Sequence, residues 1–507
     1  LDAVLADIVE KAIGKLPVSK LMRWGEGDAQ FVRPVHGLVM LHGAHEIPGT
    51  VLGVASSSTT RGHRFMGARS IALKNADEYE ARLREEGMVI ADFAARRAEI
   101  ERQLAAEAQL QGAALGDYEN LLEEVTALVE YPSVYAGSFE PKYLAVPQEC
   151  LILTMRQNQK YFPLFNASGK LLPKFLMVSN MKVADPRRII VGNERVVRPR
   201  LEDAHFFYDQ DRKIRLEERV PRLAKVVYHN KLGTQLERVE RLQLLAGRIA
   251  RELKADAALA ERAAWLAKAD LVTGMVGEFP ELQGTMGHYY ALHDGEPREV
   301  ADAIEAHYRP RYSGDRLPDG AVACAVALAD KLDTLVGMFS VGGAPTGDRD
   351  PFGLRRAALG VLRILIEKTL PLELPALLVD AARGFAKSQV PDRVCTEVYN
   401  FALDRLRHYL RDQGYAADEI ESVVSQAPRR IDLVVAKLEA VKRFLQMPEA
   451  GSLAEANKRI RNILRKSDLT YGQLDASLLR EKEERDLFDF MQHINQQIAL
   501  FVQQGDY

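Results

Sequence analysis

At 507 residues the chain is too long for one hydrophobic core, and the usual domain size predicts roughly three or four domains. With 47% apolar and 27% charged residues it has the ordinary balance of a soluble globular protein. The formal net charge of −3 excludes a globally basic nucleic-acid binder, so any RNA contact has to come from local basic patches. Cys150, Cys324 and Cys395 lie far apart with no CxxC pair, which indicates neither a disulfide framework nor a zinc knuckle. No apolar run is long enough for a bilayer span, and Leu1 to Lys20 lacks the charged start and apolar centre of a signal peptide. These features predict a cytoplasmic setting and no membrane partner.

Leu5, Ile8, Val9, Ala12 and Ile13 recur at helical spacing up to Pro17. Between Phe31 and Ser56, apolar residues among Gly and Pro predict short strands joined by turns. Glu78 to Gln111 and Tyr118 to Val129 return to a helical pattern. Tyr161 to Phe165 and Phe175 to Val178 flank the turn-like Asn166-Ala167-Ser168-Gly169 and predict a β pair. Beyond Pro199 no further strands are expected. Leu216 to Leu253, Ala257 to Met275, Glu299 to Tyr308, Val322 to Met338 and Pro351 to Lys368 read as successive helices. Asp350 is the expected cap of the last, with Pro351 at its first position. After the break at Leu370-Pro371-Leu372-Glu373-Leu374-Pro375, helical patterns cover Val394 to Leu410, Ala417 to Gln426, Ile431 to Leu445, Leu453 to Lys466 and Leu478 to Val502. The predicted class is α+β: a mixed α/β region over 1–198, an all-α domain over 199–370 and a helical region over 371–507.

Several segments carry a family resemblance in order along the chain. They are Phe31-Val32-Arg33-Pro34-Val35-His36, Arg61-Gly62-His63-Arg64-Phe65-Met66-Gly67, Gln159-Lys160-Tyr161-Phe162-Pro163 and Val196-Val197-Arg198-Pro199-Arg200-Leu201-Glu202-Asp203-Ala204. Lys268-Ala269-Asp270-Leu271-Val272-Thr273-Gly274, continuing through Phe279-Pro280-Glu281-Leu282-Gln283-Gly284-Thr285-Met286-Gly287, is the most specific. Ala329-Asp330-Lys331-Leu332-Asp333 and Asp350-Pro351-Phe352-Gly353-Leu354-Arg355-Arg356 follow. Together they resemble the β subunit of bacterial glycyl-tRNA synthetase, whose chains begin before Leu1 and continue past Tyr507. The resemblance implies a B3/B4-like first region, an HD-like helical domain, and a helical linker leading into the start of an anticodon-binding region. It further implies an α subunit partner in an α2β2 assembly and tRNA(Gly) as the bound RNA. No cofactor is then expected on this chain; ATP and Mg2+ are used by the holoenzyme, with the amino-acid-activating site on the α subunit.

The residues agree with that division of labour. No G-x-x-x-x-G-K-[ST] loop occurs, and Gly342-Gly343-Ala344-Pro345-Thr346-Gly347-Asp348 lacks its Lys. Lys15-Leu16-Pro17-Val18-Ser19-Lys20 is too short a pattern to mark a class I synthetase loop. An active HD site needs a His-Asp pair on one helix, further His ligands and a distant Asp. Here Leu266-Ala267-Lys268-Ala269-Asp270-Leu271 places Ala269 where the His would stand, leaving Asp270 and Asp330 as degenerate metal positions paired with nearby Lys or Arg. His293-Asp294 is a literal pair in a loop-like context, and His36 and His63 read as polar loop or strand residues.

Three basic surfaces are candidates for tRNA phosphates. Arg195, Arg198 and Arg200 follow Arg187-Arg188; Arg309 and Arg311 lie near Arg316. On a helix turning about 100° per residue, Lys458, Arg459, Arg461, Arg465 and Lys466 share one half, with Ile460, Ile463 and Leu464 on an opposite, packing side. Tyr161-Phe162 and Phe206-Phe207-Tyr208 are aromatic runs better suited to a core than to base stacking. The alternatives to tRNA positioning are a metal-dependent HD phosphohydrolase and an assembly scaffold without RNA contact.

Overall fold

The computed structural model describes residues 4–386, 390–466 and 476–504. The protein is α+β and divides into two compact units, Leu1–Asp209 and Gln210–Tyr507.

In the first unit, Leu38–Val39 pairs in parallel with Val54–Ser57, which pairs antiparallel with Thr50–Val51. Gly49 lets this small sheet meet helix Leu5–Gly14, since a Cβ there would stand 2.8 Å from that of Ala6. A larger antiparallel sheet has the order Ala114–Leu115, Phe162–Phe165, Leu171–Ser179, Ser133–Ser138. The Asn166–Gly169 turn joins its two middle strands as expected, whereas Ser133–Ser138 had no strong sequence signal. Helices Phe93–Leu110 and Glu119–Leu128 bury Ile100, Leu104, Leu122 and Val125 against Phe162, Leu164 and Leu176.

The helical pattern from Glu78 to Gln111 is broken in the structure into Tyr79–Glu85 and Phe93–Leu110. Met88 takes φ +51°, and Gly87 turns so tightly that a Cβ would lie 2.6 Å from the Leu83 carbonyl oxygen. Asp92 then starts the second helix by accepting the Ala95 amide at 2.6 Å. Helix Arg187–Asp211 runs through Pro199, so the expected division at 198/199 falls inside a helix.

The second unit is helical with one hairpin. The expected helix over Leu216 to Leu253 is instead Leu216–Arg219, a 3-10 segment Val220–Lys225, strands Val227–His229 and Gly233–Thr234, and helix Gln235–Glu252. Gly233 at φ +91° turns the hairpin, and Thr234 exchanges capping hydrogen bonds with Glu237 to start the long helix. Asp350 does accept two amides, those of Leu354 and Arg355, but Pro351 lies outside the helix, which spans Leu354–Glu367. The chain must first pass Gly353 at φ +65°.

Helix Ala321–Ser340 is the axis of this unit. Sixteen of its twenty residues are buried, so it is covered on all sides, chiefly by helices Gln235–Glu252, Arg298–Ala306, Leu354–Glu367, Leu374–Ala382 and Arg393–Asp412. Its Ala-rich sequence permits that close approach. Ionisable residues on this helix are therefore buried unless the surrounding helices leave an opening.

Candidate functional site

Asp270 does not lie on a regular helix as the HD pattern requires. Helix Ala257–Leu266 has ended, and Asp270 sits in the 3-10 turn Ala269–Val272. Its Oδ2 accepts the amides of Gly284 at 2.5 Å and Gly287 at 3.1 Å. Both glycines are sterically required: a Cβ on Gly284 would meet the Tyr308 ring at 2.7 Å, and one on Gly287 would meet Ile304 Cγ2 at 2.7 Å. The most specific stretch of the sequence thus folds back so that two glycine amides hold its own buried carboxylate. Burial pushes Asp270 up to about 6, against the lowering effect of those amides. Nearby, Asp211 accepts the amides of Gly274 and Met275 at 2.8 and 2.9 Å and the Tyr290 hydroxyl at 3.0 Å.

Asp330, on the axial helix, pairs with Arg238 at 2.9 Å and Lys268 at 3.0 Å. Burial favours its neutral form, but Lys268 and Arg238 overcome this and hold it well below the usual carboxylate range. Asp333 pairs with Arg241 at 2.6 Å. Burial lowers Lys268 to about 8, with Asp330 opposing. The Lys268 ammonium lies 2.7 Å from His307 Nε2, and His307 Nδ1 lies 2.6 Å from the Ile304 carbonyl oxygen. A carbonyl accepts only, so Nδ1 carries the proton and Nε2 accepts from Lys268; burial and then the Lys268 charge keep the ring neutral. Lys268 and His307, 39 positions apart, were not legible as a pair from sequence.

Asp330 therefore has the expected cationic partners, but Asp270 is held by amides instead. Among the described residues no three His, Cys, Asp or Glu side chains come together as metal ligands. His293-Asp294 is not in a loop. His293 ends helix Thr285–His293, receives the Arg212 guanidinium at 3.1 Å, and is followed by Asp294, which accepts the Leu216 amide at 2.7 Å. The glycine before it, Gly287, belongs to this helix, which the residue pattern concealed.

In the first unit, His63 is buried, and its Nδ1 accepts the amides of Phe65 and Met66, both at 3.3 Å. The His63 amide itself donates to the Gly87 carbonyl at 2.6 Å. Gly62 and Gly67 pack on that same carbonyl, where a Cβ on Gly67 would lie only 2.0 Å from the oxygen. This motif is a backbone junction. His36 is exposed and lines a cavity of about 860 Å³ together with Arg61 and Arg69.

The basic candidates differ in availability. Arg195, Arg198 and Arg200 are exposed, Arg198 lying 3.4 Å from Glu140. Arg309 is half-buried and ion-paired with Glu305, whereas Arg311 is exposed; Arg316 lies 3.6 Å from Glu305. Lys458, Arg459 and Arg461 are exposed on helix Ala450–Lys466; the side chains of Arg465 and Lys466 lie outside the described residues. The expected packing of the opposite side is corrected: Ile460, Ile463 and Leu464 are 55%, 61% and 41% exposed. Helical spacing separates two faces but does not supply a surface to cover either. Tyr161 and Phe162 are core, with Tyr161 stacked on Phe175 at 4.6 Å, while Phe206 is exposed.

A mixed α/β unit, a helical unit around buried ion pairs and scattered exposed arginines define a protein with no recognisable nucleotide loop of its own. Residues 1–425 match the model of the family described as glycyl-tRNA synthetase beta subunit, and the chain belongs to that family. It is 61% identical over 508 residues to the "Glycine--tRNA ligase beta subunit" of Aromatoleum aromaticum, and 54% identical over 507 to that of Neisseria meningitidis serogroup C. The Delftia acidovorans protein of the same name is 54% identical over 520 residues. The alignments cover 99–100% of this chain and 73% of each relative.

Proposed function

We propose that the chain serves as the β subunit of glycine–tRNA ligase, binding tRNA(Gly) and positioning it for ATP-dependent glycylation by an α subunit. The observation that carries this reading is the family match over residues 1–425. The two subunits would assemble as α2β2 in the cytoplasm, with ATP and Mg2+ used at the α subunit's active site and no cofactor on this chain. The finer layout we propose keeps a B3/B4-like region over 1–198, an HD-like domain over 199–370 and, over 371–507, a helical linker with the start of an anticodon-binding region. Helices Gln235–Glu252, Arg298–Ala306 and Leu354–Glu367, packed around Ala321–Ser340, support the middle assignment, and Leu374–Ala382 and Arg393–Asp412 extend the same packing beyond 370. The exposed Arg195, Arg198, Arg200, Arg311, Lys458, Arg459 and Arg461 are the proposed phosphate contacts. A hydrolase reading is disfavoured by Ala269, by the two amides on Asp270 and by the two cations on Asp330.

Glycine-dependent pyrophosphate exchange tests the division of labour. The chain alone should support none, and adding the α subunit should restore it. Exchange by the purified chain alone would refute the reading.

A further inference from the structure

We propose that the cavity of about 590 Å³ beside the axial helix, lined by Tyr308, Arg311, Asp330, Lys331 and Arg356, is a phosphate-binding site. Among the described residues, the guanidinium groups of Arg311 and Arg356 have no carboxylate partner, although both line this cavity. The Lys331 ammonium is buried and donates to one acceptor, the His307 carbonyl at 3.1 Å, leaving two N–H bonds to place. Tyr308 Oη is buried without a hydrogen-bond partner among the described residues. That oxygen is closed to solvent, so the ring and not the hydroxyl faces the cavity. The Arg311 guanidinium lies 6.0 Å from the centre of the Tyr308 ring.

Charge decides what the cavity takes. Arg238, Arg241, Lys268, Lys331, Arg311 and Arg356 stand in or behind the cavity wall against Asp270, Asp315, Asp330, Asp333 and Glu281. Asp330 is already engaged by two cations, and Asp270 by two amides. A metal cation would face more cations than carboxylates, whereas an anion would neutralise the surplus. Two guanidinium forks and an ammonium exceed what a carboxylate's two oxygens need, and they suit the oxygens of a phosphate. The phosphate is either free, as in a small phosphate or mononucleotide, or part of an RNA chain.

Inorganic phosphate titrated into the full chain at constant ionic strength, followed by 31P NMR and thermal stability, tests the site. Saturable binding is expected, with affinity at least tenfold weaker in Arg311→Gln/Arg356→Gln. The melting temperature without phosphate should not change, because neither side chain has an ion pair to lose. Arg356→Gln alone should weaken binding by a smaller factor, providing a second probe. No saturable binding, or binding that the double variant leaves unchanged, would overturn the site. AMP and tRNA(Gly) as competitors distinguish the sources: displacement by tRNA alone assigns a phosphodiester of the RNA. Displacement by AMP, or by neither, assigns a free phosphate. The inference shares Arg311 with the proposed tRNA contacts, and its failure stays distinguishable from failure of that reading because phosphate binding by the cavity is measured without tRNA.

Discussion

Asp270 keeps its carboxylate where water does not reach, and its second oxygen, Oδ1, has no hydrogen-bond partner among the described residues. Because burial raises the folded value to about 6 from an ordinary 3.8, the native state holds this proton more tightly than the unfolded chain. Its contribution to stability is therefore full below pH 3.8 and is lost as pH rises through about 6. Asp270→Asn can place its carbonyl oxygen before Gly284 and Gly287 and its amide where Oδ1 stands. In urea unfolding, the wild-type protein should lose on the order of 2 kcal/mol relative to this variant between pH 4 and 7. A constant difference across that range would contradict the account. Gly67 makes a purely steric case: Gly67→Ala forces its backbone away from the Gly87 carbonyl and should cost roughly 1–3 kcal/mol in thermal unfolding.

At the scale of elements, helix Ala450–Lys466 presents cations and apolar residues to solvent together. Lys458 and Arg461 lie one turn apart on its polar side. Lys458→Ala/Arg461→Ala should weaken tRNA binding largely irrespective of sequence and flatten the log affinity against log salt plot by about one to two units. Unchanged affinity and slope in filter binding would return these residues to ordinary solvated charge. The elements themselves were unevenly legible. Ala321–Ser340 announced itself through the apolar run from Ala321 to Ala329, and the Asn166–Gly169 turn through its residue types. The Val227–Thr234 hairpin did not, because apolar residues at helical spacing continue on both sides of it and only Pro221 and Gly233 interrupt them. The Asp330 and Asp333 partners were equally hidden. Charges three apart on a helix read as a solvated edge unless the cations, some 90 positions earlier, are known to lie opposite.

For the whole molecule, the carboxylates that could have served a metal are occupied by amides and by cations, and Ala269 offers no imidazole. Elemental analysis after extensive dialysis should find no stoichiometric transition metal; manganese-stimulated phosphatase activity abolished by Asp270→Ala would reverse that conclusion. Helices Gln235–Glu252 and Ala321–Ser340 meet through buried ion pairs. Arg238 faces Asp330 and Arg241 faces Asp333, so two pins spaced three residues apart enter two slots of the same spacing. Sliding one helix past the other by a turn, about 5.4 Å, would leave at most one Arg opposite an Asp and part the other Arg and Asp in a medium that solvates them poorly. Apolar side chains alone would tolerate such a slip. The pairs act as a combination lock on alignment, excluding near-native misassemblies that a greasy interface would accept.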